Sequence, residues 1–242
     1  MAVELLWWLA PAALLAGLVR GFTGFGTAMV YLPVAGQVLE PFAAITTLLL
    51  MDLAGPLPGV PGAWRAARIP DLRRLGIGLV IGLPAGVALL TLASPDVFRF
   101  TVSIVSLVLL ALLVAGVRYR GQLTPPKIIG TGILSGLLGG VAGIAGPPVI
   151  LFYMASPLPA AVIRANTLLY LLLTDMALIV VFWGSGNLAS PAILTGVLLT
   201  LPNALGNAIG GRLFDPERPR LYRMAGYIVI AGSALSGLPI WT

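Results

Sequence analysis

Apolar residues fill this chain in blocks of about 20, the length an α-helix needs to cross a bilayer, and the blocks fall into two matching series. The first block of each series, roughly 5–36 and 128–155, is interrupted by glycine and proline. Two short helices meeting at the interruption fit these blocks better than one straight span, because Gly and Pro are the residues that end helices. The second blocks, about 41–60 and 160–183, have polar centres. The third, about 75–93 and 189–211, correspond at Leu83-Pro84 and Leu201-Pro202, and the last, about 100–117 and 222–240, are opened by Pro95 and Pro216.

The two series match because a motif is written twice. Gly21-Phe22-Thr23-Gly24-Phe25-Gly26-Thr27 lies 119 residues before Gly140-Val141-Ala142-Gly143-Ile144-Ala145-Gly146, which continues into Pro147-Pro148, in a chain of 242 residues. The chain therefore reads as a tandem duplication, with repeats at 1–120 and 121–242 of one integral membrane domain. Gly/Pro-interrupted hydrophobic segments at matching positions of two halves point to the binding site of a transporter. Irregular backbone at membrane depth is tolerated only where protein surrounds it or it lines a wet cavity. A helix starting at Gly146-Pro147-Pro148 would aim free N–H groups into such a cavity, and these attract anions. The alternative is a tight turn that merely lets the segment fold back. Gly21-x-x-Gly24-x-Gly26 is not a nucleotide loop, since no strand precedes it and no βαβ unit surrounds it.

Composition agrees with burial in lipid. Hydrophobic residues make up 59% of the chain and charged residues 9%, with a mean hydropathy of +1.04; soluble domains carry about 25% charged residues. Cys and His are absent, which excludes disulfides, thiol chemistry, typical zinc or haem sites and a histidine proton relay. Hydrolysis by a Ser–His or zinc mechanism is likewise excluded, so no enzymatic activity, cofactor or metal is expected, and any proton coupling must use carboxylates. Met1 to Trp8 carry Glu4 and no Lys or Arg. A secretory signal needs a positive n-region, so this segment reads as mature and membrane-embedded, with Trp7 and Trp8 at an interface.

The net charge of +6 sets orientation rather than nucleic-acid binding. With Arg65, Arg68, Arg73 and Arg74 in the cytoplasm and each broken block crossing once, the basic residues divide seven to six across the membrane. If each broken block instead enters and returns on one side, Arg118, Arg120, Lys127, Arg164, Arg212, Arg218, Arg220 and Arg223 join them, and twelve of the fourteen are cytoplasmic. Arg99 then lies outside and Arg20 within the membrane. The positive-inside rule favours this arrangement. It gives three full spans and a hairpin per half, so the halves run in opposite senses. The predicted fold is an all-α polytopic membrane protein of two inverted repeats.

Arg20 precedes the first motif between two apolar runs, and the matching position in the second half is Gly139. An intramembrane guanidinium must be paired or line a wet cavity, and its fork suits an oxyanion; the competing reading is a charge that snorkels or pairs with a carboxylate. Asp52 and Asp175 lie inside the second blocks. They are candidates for a coupling proton, or for ion pairs with Arg20 and Arg164. Asn166, Asn203 and Asn207 complete the polar inventory and either orient a substrate or join helices. Two ridges of glycine at four-residue spacing, Gly78/Gly82/Gly86 and Gly132/Gly136/Gly140, allow close helix packing in lipid.

The duplicated motif, above all Gly139-Gly140-Val141-Ala142-Gly143-Ile144-Ala145-Gly146-Pro147-Pro148, the polar second blocks and the length resemble the TauE/SafE family of membrane transporters over essentially the whole chain. The first copy departs from the more glycine-rich family form at Thr27 and Ala28. The resemblance implies a multi-pass protein of a bacterial or archaeal plasma (inner) membrane that handles sulfite, sulfonates or related small sulfur-containing anions. The expected substrate site lies between the two motifs: Arg20, Thr23, Gly24, Gly26, Thr27, Gly143, Gly146 and Pro147 hold the anion, Asn166, Asn203 and Asn207 orient it, and Asp52 or Asp175 carries a proton. Expected partners are the small anion and the lipid bilayer, with no nucleic acid; a homodimer is an open option. Two rival functions stand beside transport by alternating access: an anion channel of the same fold, and a membrane assembly subunit that transports nothing.

Overall fold

The computed structural model of the chain describes residues 2–53, 55–117, 123–153, 158–213 and 219–240. Arg118, Arg120, Pro216 and Arg218 lie outside the described residues. The elements are all helical: α1 (Ala2–Thr23), α2 (Thr27–Ala35), α3 (Pro41–Leu53), a 3-10 turn (Leu57–Gly59), α4 (Val60–Ala66), α5 (Ile69–Thr91), α6 (Pro95–Val114), α7 (Pro125–Ala142), α8 (Gly146–Tyr153), α9 (Ala160–Gly184), α10 (Ser190–Leu213) and α11 (Pro219–Gly237). Among the described residues, five helices are long and apolar enough to cross a membrane, or six if the bent α3–α4 pair counts as one span. Trp7 and Trp8 are exposed, as membrane-interface anchors are.

Both broken blocks break at the motif. The expectation of two short helices holds for the second arms alone, since α2 has 9 residues and α8 has 8. The first arms are longer, and α1 is itself long enough to cross. The second blocks differ from each other. In the second half, α9 is continuous. In the first half the predicted 41–60 span stops at Leu53, and helix resumes only with the turn at Leu57 and α4 at Val60. The cause is local: Gly55-Pro56-Leu57-Pro58-Gly59 puts two prolines where a helix interior needs amide donors.

The helices form two compact units, and each draws on both sequence halves. The first comprises Met1–Gly55, Ala93–Ala111 and Asn187–Thr242; the second comprises Pro56–Leu92 and Leu112–Gly186. In the second unit α5 packs chiefly on α7, and the two predicted glycine ridges are what meet there. A Cβ on Gly82 would stand 2.1 Å from the Ile133 carbonyl oxygen, and one on Gly140 2.5 Å from that of Leu83, so the backbones touch only because side chains are absent. The first unit uses the same device between α1 and α10, where a Cβ on Gly17 would lie 2.1 Å from the Asn203 carbonyl and one on Gly206 2.1 Å from that of Leu14.

Candidate functional site

The first break is built in the first unit. Helix α1 ends after Arg20, and the Gly24 amide donates to the Arg20 carbonyl at 2.7 Å. Gly24 and Gly26 then take φ of +81° and +99°, values that a side chain would strain, and the chain restarts at Thr27. The Thr23 hydroxyl braces the turn: its oxygen lies 2.8 Å from the Val19 carbonyl and 2.7 Å from that of Phe25, and accepts the Phe25 amide at 3.3 Å. α11 passes close by, with Gly226 against the Thr23 methyl and Tyr222 beside Phe22, the rings 5.3 Å apart.

Arg20 reaches from this break to the one in α3. Its Nη1 donates to Asp52 Oδ1 in an ion pair whose side chains are 15% and 18% exposed, and Gly55 borders it. The pair realises the competing reading of both residues, a charge paired with a carboxylate, at a place where two helices are interrupted at once. A guanidinium in the last turn of α1 also faces that helix's free carbonyls, a favourable end for a cation. Arg20 is half-buried, Thr27 is buried and Gly24 is exposed, so the guanidinium is not sealed in a core.

The second break, in the second unit, is closed. Gly143 takes φ +69°, its amide donates to Gly139 and that of Ile144 to Leu138, at 2.9 and 3.2 Å. The Ser135 hydroxyl holds the Ala145 carbonyl at 2.5 Å. Gly139, Gly146, Pro147 and Pro148 are all buried.

The asparagines bond to neighbouring elements. Asn203 is buried on α10 and donates to the Ala13 carbonyl of α1 at 3.3 Å; Asn207 is half-buried one turn on, its backbone against Gly17 and Gly21. In the second unit Asn166 accepts the Arg68 amide at 2.8 Å and donates to the Tyr153 hydroxyl at 3.4 Å. Asp175 is half-buried in α9. Sequence reasoning overlooked a parallel: in the first unit Tyr31 of α2 donates to Thr47 of α3 at 2.8 Å, so in each unit the short arm is tied to the following helix by a tyrosine hydroxyl. It also passed over Asp71, buried at the start of α5 with Arg74 at 3.2 Å and Arg68 at 3.6 Å, because an acid inside a basic run looks like part of an orienting loop.

The family profile described as Sulfite exporter TauE/SafE matches residues 9–237. The chain belongs to the TauE/SafE family. A curated relative, the Probable sulfite/organosulfonate exporter TauE of Cupriavidus necator, is 25% identical over 230 residues, covering 88% of this chain and 86% of that protein. No solved structure matches. Family membership and the apolar helices together make the chain a multi-pass membrane transport protein.

Proposed function

We propose that this TauE/SafE protein is a secondary transporter that carries a sulfonate, sulfite or a related small sulfur-containing anion across a bacterial or archaeal inner membrane by alternating access. The observation that carries the reading is the Arg20–Asp52 pair at a double helix interruption in lipid-facing protein. An arginine is needed there only if it has an anion to hold. In the resting state that anion is the Asp52 carboxylate. A substrate oxyanion of the same fork-matching shape replaces it, with the Thr23 hydroxyl and the open backbone at Gly24 and Gly26 close at hand. Displaced from its cation at membrane depth, Asp52 takes up a proton, because an unpaired carboxylate there is costly. Anion and proton thus bind together. The name of the curated relative supports the choice of sulfur anions, and the buried second break serves as the rigid counterpart of the first.

The test is anion binding to purified protein, read as thermal stabilisation, and uptake into proteoliposomes. An alkanesulfonate is the better probe, since its charge is constant across the pH range used. Affinity should rise about tenfold for each unit that pH falls while one proton is taken up. Asp52→Asn should keep binding and lose that dependence, whereas Arg20→Ala should lose binding. Flux that never exceeds its gradient would favour a channel, and a protein that binds no anion would favour the assembly subunit. Either result overturns the proposal.

A further inference from the structure

A second charged recess lies in the first unit, away from Arg20. A cavity of about 410 Å³ is lined by Gln37, Glu40, Pro95, Asp96 and Arg99, among others, where the chain leaves α2 and where α6 begins. Arg99 is nine-tenths buried, yet its Nε has no hydrogen-bond partner, and its Nη1 lies 3.6 Å from an Asp96 carboxylate that is 77% exposed. The guanidinium stem rests against Gly36, where a Cβ would stand 3.4 Å from Arg99 Cγ. Ser103 and Ser106, one and two turns further along α6, are also buried without hydroxyl partners but do not line this cavity. Buried donors left open in this way call for water or a ligand.

The charges specify which ligand. One Arg against Glu40 and Asp96 gives the lining a net charge of −1, which opposes a simple anion, while the buried guanidinium opposes a simple cation. We infer that this cavity binds a small zwitterion, with its oxyanion head on Arg99 and its ammonium toward Glu40 and Asp96. The shared chemistry is that of an aminoalkanesulfonate or an amino acid. On the orientation favoured by the charge count this end of α6 faces away from the cytoplasm, where a released substrate is met.

The experiment titrates 2-aminoethanesulfonate, ethanesulfonate and glycine into purified full-length protein by calorimetry, in the wild type and in Arg20→Gln, which silences the first site. The expected result in both is that the aminosulfonate binds about tenfold more tightly than ethanesulfonate, and that Arg99→Gln removes at least about tenfold of that affinity, the loss of one charge-assisted hydrogen bond. Arg99→Lys should restore part of it. Glu40→Gln with Asp96→Asn, both at exposed positions that do not endanger folding, should bring the aminosulfonate down to the level of ethanesulfonate. Glycine binding alongside the aminosulfonate identifies the zwitterion as the determinant; aminosulfonate binding alone assigns the head group to the sulfonate. Equal binding of ethanesulfonate and aminosulfonate, or binding indifferent to Arg99→Gln, overturns the inference. The Arg20 reading fails on a different result, unchanged sulfonate transport in Arg20→Gln, so the two can fall separately.

Discussion

At the first break an arginine stands in the last turn of a helix, Gly24 beyond it is exposed and a carboxylate from another interrupted helix meets the charge. At the second, the same motif with Gly139 in the arginine's place is mostly buried, Gly143 only half so, and is braced by a serine. The two copies thus share their backbone shape and differ in the residue at the position of Arg20. The positive φ at Gly26 and Gly143 is common to both and makes the break; the charge is private to the first and makes it a candidate binding place. A repeat of backbone geometry is therefore no evidence that both copies touch a substrate.

That contrast can be broken in several ways. The largest effect is expected from Gly139→Arg, which gives the second break the first one's charge. A Cβ there already lies 3.1 Å from that of Ala145, and an unpaired buried guanidinium costs about 3–5 kcal/mol. The melting midpoint in detergent should fall by roughly 10 °C, and an unchanged melt would mean that the second break is as open as the first. Next, Arg20→Ala should reduce sulfonate transport by at least about 100-fold, some 2.7 kcal/mol or more, while Gly139→Ala leaves the rate within about twofold; equal losses in proteoliposome uptake would dissolve the asymmetry. Smaller effects sharpen it. Gly26→Ala, at φ +99° and with Val19 only 3.3 Å away, should cost about 1–3 kcal/mol, and Gly143→Ala at φ +69° nearer to about 1 kcal/mol, both read from the melt. The least is expected of the braces. Ser135→Ala strips a buried carbonyl of its donor at about 1 kcal/mol, and Thr23→Val should cost less, since water reaches the open turn.

The breaks and most helices were legible because Gly and Pro act locally, through φ and a missing donor. The interruption of α3 was equally local. It was missed because the polar Asp52 made 41–60 look like one span, although Gly55-Pro56 stood beside it. Other features could not be read from spacing. Both glycine ridges were visible, yet their facing one another is decided by which helices become neighbours. The same holds for Arg20 and Asp52, 32 residues apart. The charge count placed Arg99 outside the membrane but could not show its burial, since the Gly36 its stem rests against comes from a distant part of the chain.

The exchange of helices between halves has a consequence in time. α5 finds α7 soon after leaving the ribosome, but α1 must wait for α10, about 170 residues later, which is roughly 10 to 30 s at ordinary rates of synthesis. In the folded chain Gly17 and Gly21 of α1 lie against α10, while Arg20 on the same helix pairs with Asp52 of α3. Asp52, 32 residues from Arg20, is thus a partner the chain already contains long before α10 is made.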